Sequence, residues 1–385
     1  MNCEILYVVS AADLWQRAQA SGTPLVSGVD PGGLAEVTFV WRGEAERTAV
    51  GWGVRLELTR EPGTDLWHGT FRLPARLRSI YYVTHLPPGD YSVPHDDRGT
   101  GAVHIDALNP YTMKFPADPG DPSDRDAYVS HLTLPLAPPE TWPVPQPGVP
   151  AGTIEEITLD NGRRVSVHVP AGGRRAGLPA LVVFDGYLGR TVMGIPATCD
   201  NLIAAGRIPP LVTIYLHGTD DTRDKDLSPD SEETTRFVTR ELMPWARREY
   251  GISPFPQDIA VAGASLGGLM AAHVALRAPE VFGAVIAQSG SFWWPRPEDG
   301  EPEWLTREFT RLPRAGLRFY LDVGDRETTS VGPGAPHQIQ AVRHLRDVLR
   351  TKGYPVTYAE YPGWHDYVNW RNLFPSALQA IFGRA

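Results

Sequence analysis

The chain has 385 residues, 42% of them hydrophobic and 21% charged, with a formal net charge of −9 and a sequence pI of about 5.7. That length points to two domains and that composition to an ordinary folded protein, while the acidic balance argues against a binder of nucleic acid or anionic membranes. No apolar run reaches membrane-spanning length, and two cysteines, Cys3 and Cys199, make no disulfide framework. The N-terminal stretch lacks the basic and apolar regions of a secretion signal, so a cytoplasmic location is expected.

Residues 9–24 have the pattern of a short helix. From about residue 35 the chain breaks into AEVTFVWRG, GWGVRLELTR, LWHGTFRLP and SIYYVTHL, rich in Val, Thr, Phe, Tyr and Trp and separated by polar or Gly/Pro turns. Alternation at Val37, Phe39 and Trp41 predicts half-buried antiparallel strands, and the set predicts a β-sandwich of immunoglobulin-like type over residues 1–133. Residues 87–124 are irregular. Residues 134–152 are proline-dense and are expected to form a stiff linker.

A second domain is expected over residues 153–385. GTIEEITLD and RRVSVHVP form a hairpin pattern about Asn161-Gly162, a favourable tight turn. LPALVVFDG, PPLVTIYLHG, DIAVA, VFGAVIAQSG, LRFYLDVGD and PVTYAEYPG are strand-like. Helix-like stretches alternate with them at 192–206, 231–250 (with a kink expected at Pro244), after Gly268 up to residue 277, and at 337–352, closed by Gly353. Strands apolar on both faces, alternating with helices, predict a mostly parallel sheet covered on both sides.

The chemistry centres on Gly263-Ala264-Ser265-Leu266-Gly267, a G-x-S-x-G turn between an apolar strand and a helix. Such a turn lifts the serine hydroxyl above the sheet edge, and the helix start offers main-chain N–H groups to negative charge. The order of elements around it predicts an α/β-hydrolase fold, in which the triad runs serine, acid, histidine along the chain. His365, in the loop after the last strand, stands where the base belongs, and His273, His337 and His344 do not. The acid is expected just past the strand FYLDV, with Glu327 favoured over Asp325 and Asp322 weaker still. Leu266 N–H and Tyr187 N–H, the latter beside Gly186, are the candidate oxyanion donors. Arg190, Arg223 and Lys225 could meet anionic oxygens, with a solvated loop the plain alternative for the last two. Trp293, Trp294 and Trp304, with Trp364 and Trp370 beside His365, could wall an aromatic ligand or serve as packing.

The stretches LVVFDGYLGR, VAGASLGGLMAAHVALRAPEVFGAVIAQSGSFWW, the G-x-x-E at 324–327 and GWHDYVNWR fall in an order that resembles the enterochelin (enterobactin) esterase family. VTFVWRG, TDLWHGTFRLP and DALNP resemble that family's N-terminal β-sandwich. The resemblance implies a cytoplasmic serine esterase without a cofactor, which cleaves the ester bonds of a tri-catecholate siderophore trilactone and its linear fragments. Iron would enter only as part of that substrate. It further implies Ser265 as nucleophile, His365 as base and Glu327 as acid, with Arg190 and Arg223 toward catecholate charge. A general carboxylesterase or feruloyl-type esterase is the alternative enzyme, and a binding protein on an inactive hydrolase fold the non-enzymatic one. The partner in the leading reading is a small-molecule ester, and the sequence sets no oligomeric state.

Overall fold

Ser10 caps the first helix: its hydroxyl accepts the N–H of Asp13 at 3.1 Å, and Gly22 (φ 79°) ends that helix, α1 (Ala11–Ser21). The structure is a computed structural model and describes residues 10–52, 55–87, 98–218 and 220–383. By its contacts the chain divides into two units, Met1–Ala117 with Arg125–Pro138, and Asp118–Asp124 with Pro139–Ala385.

In the first unit the alternating segments become β1 (Leu25–Val29), β2 (Leu34–Arg42), β3 (Thr48–Gly51), β4 (Arg55–Arg60), β5 (Leu66–Pro74), β6 (Arg78–Thr84), β7 (Val103–His104), β8 (Thr112–Phe115) and β9 (Ala127–Thr133). They pair antiparallel in the order β1-β2-β5-β4-β3-β6-β9-β8, with β7 also on β6, as a curled, sandwich-like sheet. Ala35, Val37 and Phe39 point into its core, as their period of two requires. The stretch 87–124, irregular by its sequence, instead carries β7 and β8, which pair with β6 and β9, and it is tied down by buried Asp106, which accepts from Thr23 Oγ1 at 2.7 Å and Tyr81 Oη at 2.8 Å. Its residues 88–97, like Cys3, lie outside the described residues.

In the second unit the hairpin forms as β10 (Thr153–Thr158) and β11 (Arg164–Val169), with Gly162 at φ 80°. There follow β12 (Ala180–Val183), α2 (Gly186–Thr191), α3 (Ile195–Ala204), β13 (Val212–Leu216), α4 (Asp220–Asp226), α5 (Glu232–Phe237) and α6 (Met243–Tyr250). Then come β14 (Ile259–Ala264), α7 (Leu266–Arg277), β15 (Ala284–Gln288), α8 (Trp304–Arg311), β16 (Arg318–Gly324), α9 (Gln338–Thr351), β17 (Val356–Tyr361) and α10 (Tyr367–Phe382). The sheet order is β10-β11-β13-β12-β14-β15-β16-β17, parallel from β13 through β17. Side chains of the central strands alternate between two cores: Val182 and Val261 face one, Leu181, Val183, Ala260 and Ala262 the other. This is the α/β-hydrolase fold. Among the described residues no helix is long and apolar enough to cross a membrane.

Two features of the helices depart from the sequence pattern. The helix expected at 231–250 widens into a π turn at Val238–Leu242 before Pro244, which supplies no N–H to the ladder. The segments after β12 and β13, loop-like in sequence, each begin with a short helix, α2 and α4. The proline-dense stretch is hydrogen-bonded to α3: Asn201 Nδ2 donates to Trp142 O and Val144 O at 2.7 and 2.8 Å, and Gly152 N–H donates to Asp200 at 3.0 Å.

Candidate active site

The parallel strands end together, and the loops at that edge carry the chemistry-bearing residues. Ser265 follows β14 with φ 55° and ψ −123°, a conformation that side chains rarely adopt. Glycine makes the corner possible, since a Cβ on Gly263 would lie 2.3 Å from the backbone of Gly267. Main-chain bonds fix it further: Ser265 N–H donates to Gln288 O at 2.9 Å, and Ser291 N–H donates to Ser265 O at 2.9 Å. The Ser265 side chain is half-buried, and its Oγ lies 3.2 Å from Ser291 Oγ.

Past β16 the chain turns so that Glu327, buried at the sheet edge, faces His365. His365 Nδ1 and Glu327 Oε2 are 2.6 Å apart. Glu327 Oε1 accepts from Ser289 Oγ at 2.6 Å, Gly324 N–H at 2.7 Å and Tyr361 Oη at 3.1 Å. Burial alone would raise this carboxyl's pKa. The charge and hydrogen bond of His365, with the Ser289 and Gly324 bonds, outweigh burial and hold it below the ordinary glutamate value. Asp325 turns elsewhere: it is exposed and accepts Gly363 N–H at 3.2 Å, which ties the acid loop to the histidine loop. Asp322 stays inside β16, fully buried, where it accepts from Gln288 Nε2 at 3.0 Å.

His365 rests edge-on against Trp370, with ring centroids 4.8 Å apart. Trp370 Nε1 in turn donates to Ser289 Oγ at 3.1 Å. Ser289 adjoins Gln288, the register partner of Ala264, so three contacts connect the imidazole to the serine corner. Sequence reasoning passed over Ser289, Ser291, Tyr361 and Gln338. Only the polar QSGS run after an apolar strand hinted at the first two.

On the other side of Ser265, Asp185 sits in the left-handed region (φ 50°) and opens α2. Gly186 is required there, because a Cβ would lie 2.5 Å from Leu216 N. Leu266 and Tyr187 stand in the first turns of α7 and α2, the part of a helix whose main-chain N–H groups point out along the axis rather than into the helical ladder.

The two arginines already have carboxylate partners. Arg223 donates Nε and Nη2 to the two oxygens of Asp185, both at 2.7 Å. Arg190 pairs with Glu156 and lies over the Tyr187 ring at 5.3 Å. Lys225 is in the last turn of α4. Trp293 and Trp294 are half-buried against the core: Trp293 Nε1 donates to Gln338 Oε1 at 2.6 Å, and Trp294 meets Trp304 edge-on. Trp364, beside His365 in its loop, is 6% exposed with Arg326 over its ring, so its indole is packed inside rather than offered as an open wall to a ligand. Among the described residues no group of three or more His, Cys, Asp or Glu is placed to hold a metal ion.

A doubly covered parallel sheet with a serine on a strained strand–helix corner, and a carboxylate-held histidine at the same edge, defines an ester hydrolase of the α/β-hydrolase class. The chain belongs to the esterase family: the family model described as a putative esterase matches residues 157–381, more than half its length. The similarity extends beyond that region. The chain is 28% identical to the iron(III) salmochelin esterase of Escherichia coli O6:H1, an alignment covering 98% of this chain and 95% of the relative. It is 29% identical to the iron(III) enterobactin esterase of the same organism, over 82% and 78% of the two chains. The crystal structure of the enterobactin esterase from Shigella flexneri in the presence of enterobactin superimposes with a TM-score of 0.72 at 26% identity, covering 98% of this chain and 99% of that one.

Proposed function

We propose that the protein hydrolyses the ester bonds of a catecholate siderophore trilactone of the enterobactin kind, and of its linear fragments, and so promotes iron release. The observation that carries this reading is the likeness of 98% of the chain, residues of both units included, to an esterase crystallised in the presence of enterobactin. Ser265 is the nucleophile. His365, its Nδ1 held by Glu327, takes the Ser265 proton on Nε2 and returns it to the leaving alcohol. The N–H groups of Leu266 and Tyr187, with Gly186 allowing close approach, receive the oxyanion. Water then attacks the acyl carbon with His365 as base again, the acyl group leaves as a carboxylic acid, and His365 returns the proton to Ser265 Oγ. Each turnover opens one ester, so the trilactone gives linear trimer, then dimer and monomer.

The iron belongs to the substrate. A ferric tri-catecholate complex carries negative charge, and Arg190 and Arg223 are the basic groups proposed to lie toward it, each shared with the carboxylate it already holds. Trp293 and Trp294 supply aromatic surface, with Trp364 as backing. The two-domain division at the proline-dense stretch and a cytoplasmic site of action complete the proposal, and the buried thiol of Cys199 suits a reducing compartment.

The test is product analysis by mass spectrometry after incubation with enterobactin, its ferric complex, a feruloyl ester and p-nitrophenyl butyrate, with Ser265→Ala alongside. Stepwise linear products from the trilactone, absent with Ser265→Ala, are expected. Turnover of the feruloyl ester with the trilactone left intact would overturn the substrate assignment.

A further inference from the structure

The turn that follows β15, Gln288-Ser289-Gly290-Ser291, is built to a tolerance that its length does not require. Ser289 has φ 44°, unusual for a residue with a side chain, and is fully buried. Gln338, at the start of α9, donates its amide to both Ser289 O and Gly290 O, at 2.6 and 2.7 Å. A Cβ on Gly290 would lie 2.5 Å from the Phe292 ring. A strained turn clamped from outside persists because the surrounding structure determines it, and such turns gather at functional sites. Its two serines face opposite ends of the proposed triad. Ser289 Oγ donates to Glu327, and Ser291 Oγ meets Ser265 Oγ at 3.2 Å.

Ser291 is 1% exposed. A buried hydroxyl is costly unless it is hydrogen-bonded, and here its partner is the oxygen that attacks the ester. Ser291 also holds the corner itself through its N–H to Ser265 O at 2.9 Å. When the Ser265 proton is directed to His365, the Ser265 oxygen keeps lone pairs for an incoming donor, and Ser291 is placed to supply it.

We propose that Ser291 is a further catalytic residue, whose hydroxyl donates a hydrogen bond to Ser265 Oγ as negative charge develops there. The inference rests on Ser265 being the nucleophile. In acylation Ser265 Oγ bonds to the acyl carbon as its proton passes to His365 Nε2 and the carbonyl pair moves onto the oxyanion; that pair returns as the ester C–O bond breaks, and the alcohol leaves with the proton from His365, while Ser291 keeps its own proton. In deacylation water bonds to the acyl carbon and gives its proton to His365; Oγ then leaves the tetrahedral carbon and takes that proton from His365, again with Ser291 donating. The bond is strongest when the oxygen is most anionic, so it favours the transition states over the resting enzyme.

The experiment compares the full chain with Ser291→Ala, Ser291→Thr, Ser291→Cys and Ser265→Ala. It reads kcat and KM on p-nitrophenyl butyrate, the rate of inactivation by diisopropyl fluorophosphate, and the thermal midpoint. Loss of a hydrogen bond to a charging oxygen is expected to lower kcat and the inactivation rate of Ser291→Ala roughly 10- to 100-fold, with KM within about twofold. Ser291→Thr, which restores a hydroxyl, is expected to recover most of that loss. Ser291→Ala with wild-type kcat and inactivation rate overturns the inference, as does an equal loss in Ala and Thr, which would mark a packing role. If Ser291→Ala does not fold, Ser291→Cys decides: a weaker donor of similar size must lower kcat, and an unchanged kcat overturns the inference. Full activity in Ser265→Ala would sink the nucleophile assignment instead, so the two failures are distinct.

Discussion

Arg223 grips Asp185 through two parallel hydrogen bonds of 2.7 Å, and Asp185 is the left-handed residue from which the turn bearing Gly186 and Tyr187 springs. The pair is partly buried, with side-chain exposures of 30% and 18%. It joins the segment after β13 to the segment after β12, on the side of the site where the oxyanion is proposed to bind. Arg223→Ala should therefore lower kcat by roughly tenfold or more, because a misplaced donor is lost mainly in the transition state. Arg223→Lys should recover little, since an ammonium cannot reproduce the bidentate fork. Steady-state kinetics on a neutral ester checks this. A rise in KM confined to anionic substrates would show Arg223 acting on ligand charge alone.

Glu327 and Asp325 are two residues apart, yet the first faces His365 Nδ1 and the second caps Gly363. Glu327→Gln should lower kcat by about 10²- to 10⁴-fold, because the amide can present its N–H to Nδ1 and favour the wrong tautomer. Asp325→Asn should stay within a few-fold of wild type. Glu327 also contributes to stability with a defined sign. Its folded pKa is depressed below the ordinary 4.5, so that contribution is full above pH 4.5 and is lost as pH falls through the folded value. Urea denaturation of Glu327→Gln beside wild type should show a deficit at pH 7 that shrinks below pH 4.

The sheet was legible because its strands announce themselves. Ile259-Ala260-Val261-Ala262 is apolar on both faces, and a run of that kind between helical patterns has few other solutions. The strand–helix corner at Ser265 was legible for the same local reason, through Gly263 and Gly267. What the sequence hid was long-range. Nothing near Arg223 says that its guanidinium will be spent on a residue 38 positions earlier. Trp364 and Trp293 look alike as indoles in a loop, and only folding decides that Trp364 is buried while Trp293 is half-buried and bonded to Gln338. Short helices such as α2 escaped because six residues, two of them glycine, carry too little periodicity to outweigh the loop pattern.

Gly186 offers a test of how close the two backbones must come. An added Cβ would meet Leu216 N at 2.5 Å and Tyr215 C at 2.6 Å, both main-chain atoms of β13 that cannot turn aside. Gly186→Ala should push α2 away from β13, lower kcat at least tenfold and cost about 1–3 kcal/mol of stability. Gly206, at φ 67° and with nothing within 4 Å of where a Cβ would stand, is the control. Its Ala variant should lose a little stability from backbone strain and keep its kcat. Thermal melts and kinetics on both variants check the contrast.

Two imidazoles away from the proposed triad also contribute to the acid side of the stability profile. Burial lowers His273 to a pKa of about 4, with Arg277 one turn along α7 adding repulsion. Burial likewise lowers His217 to about 4, although Asp118, 3.7 Å from its Nδ1, and Glu156 pull the other way against Arg164 and Arg190. Unfolding returns both to the ordinary value of 6.5, so between pH 6.5 and 4 the unfolded chain binds protons that the folded chain does not. Stability is then full above pH 6.5 and declines as pH falls toward 4, by up to roughly 3 kcal/mol for each ring. His273→Gln stays neutral throughout, so the drop in its thermal midpoint between pH 7 and 4.5 should be smaller than that of wild type, and His217→Gln should behave alike. Equal drops in wild type and both variants would show that neither ring is held neutral in the folded protein.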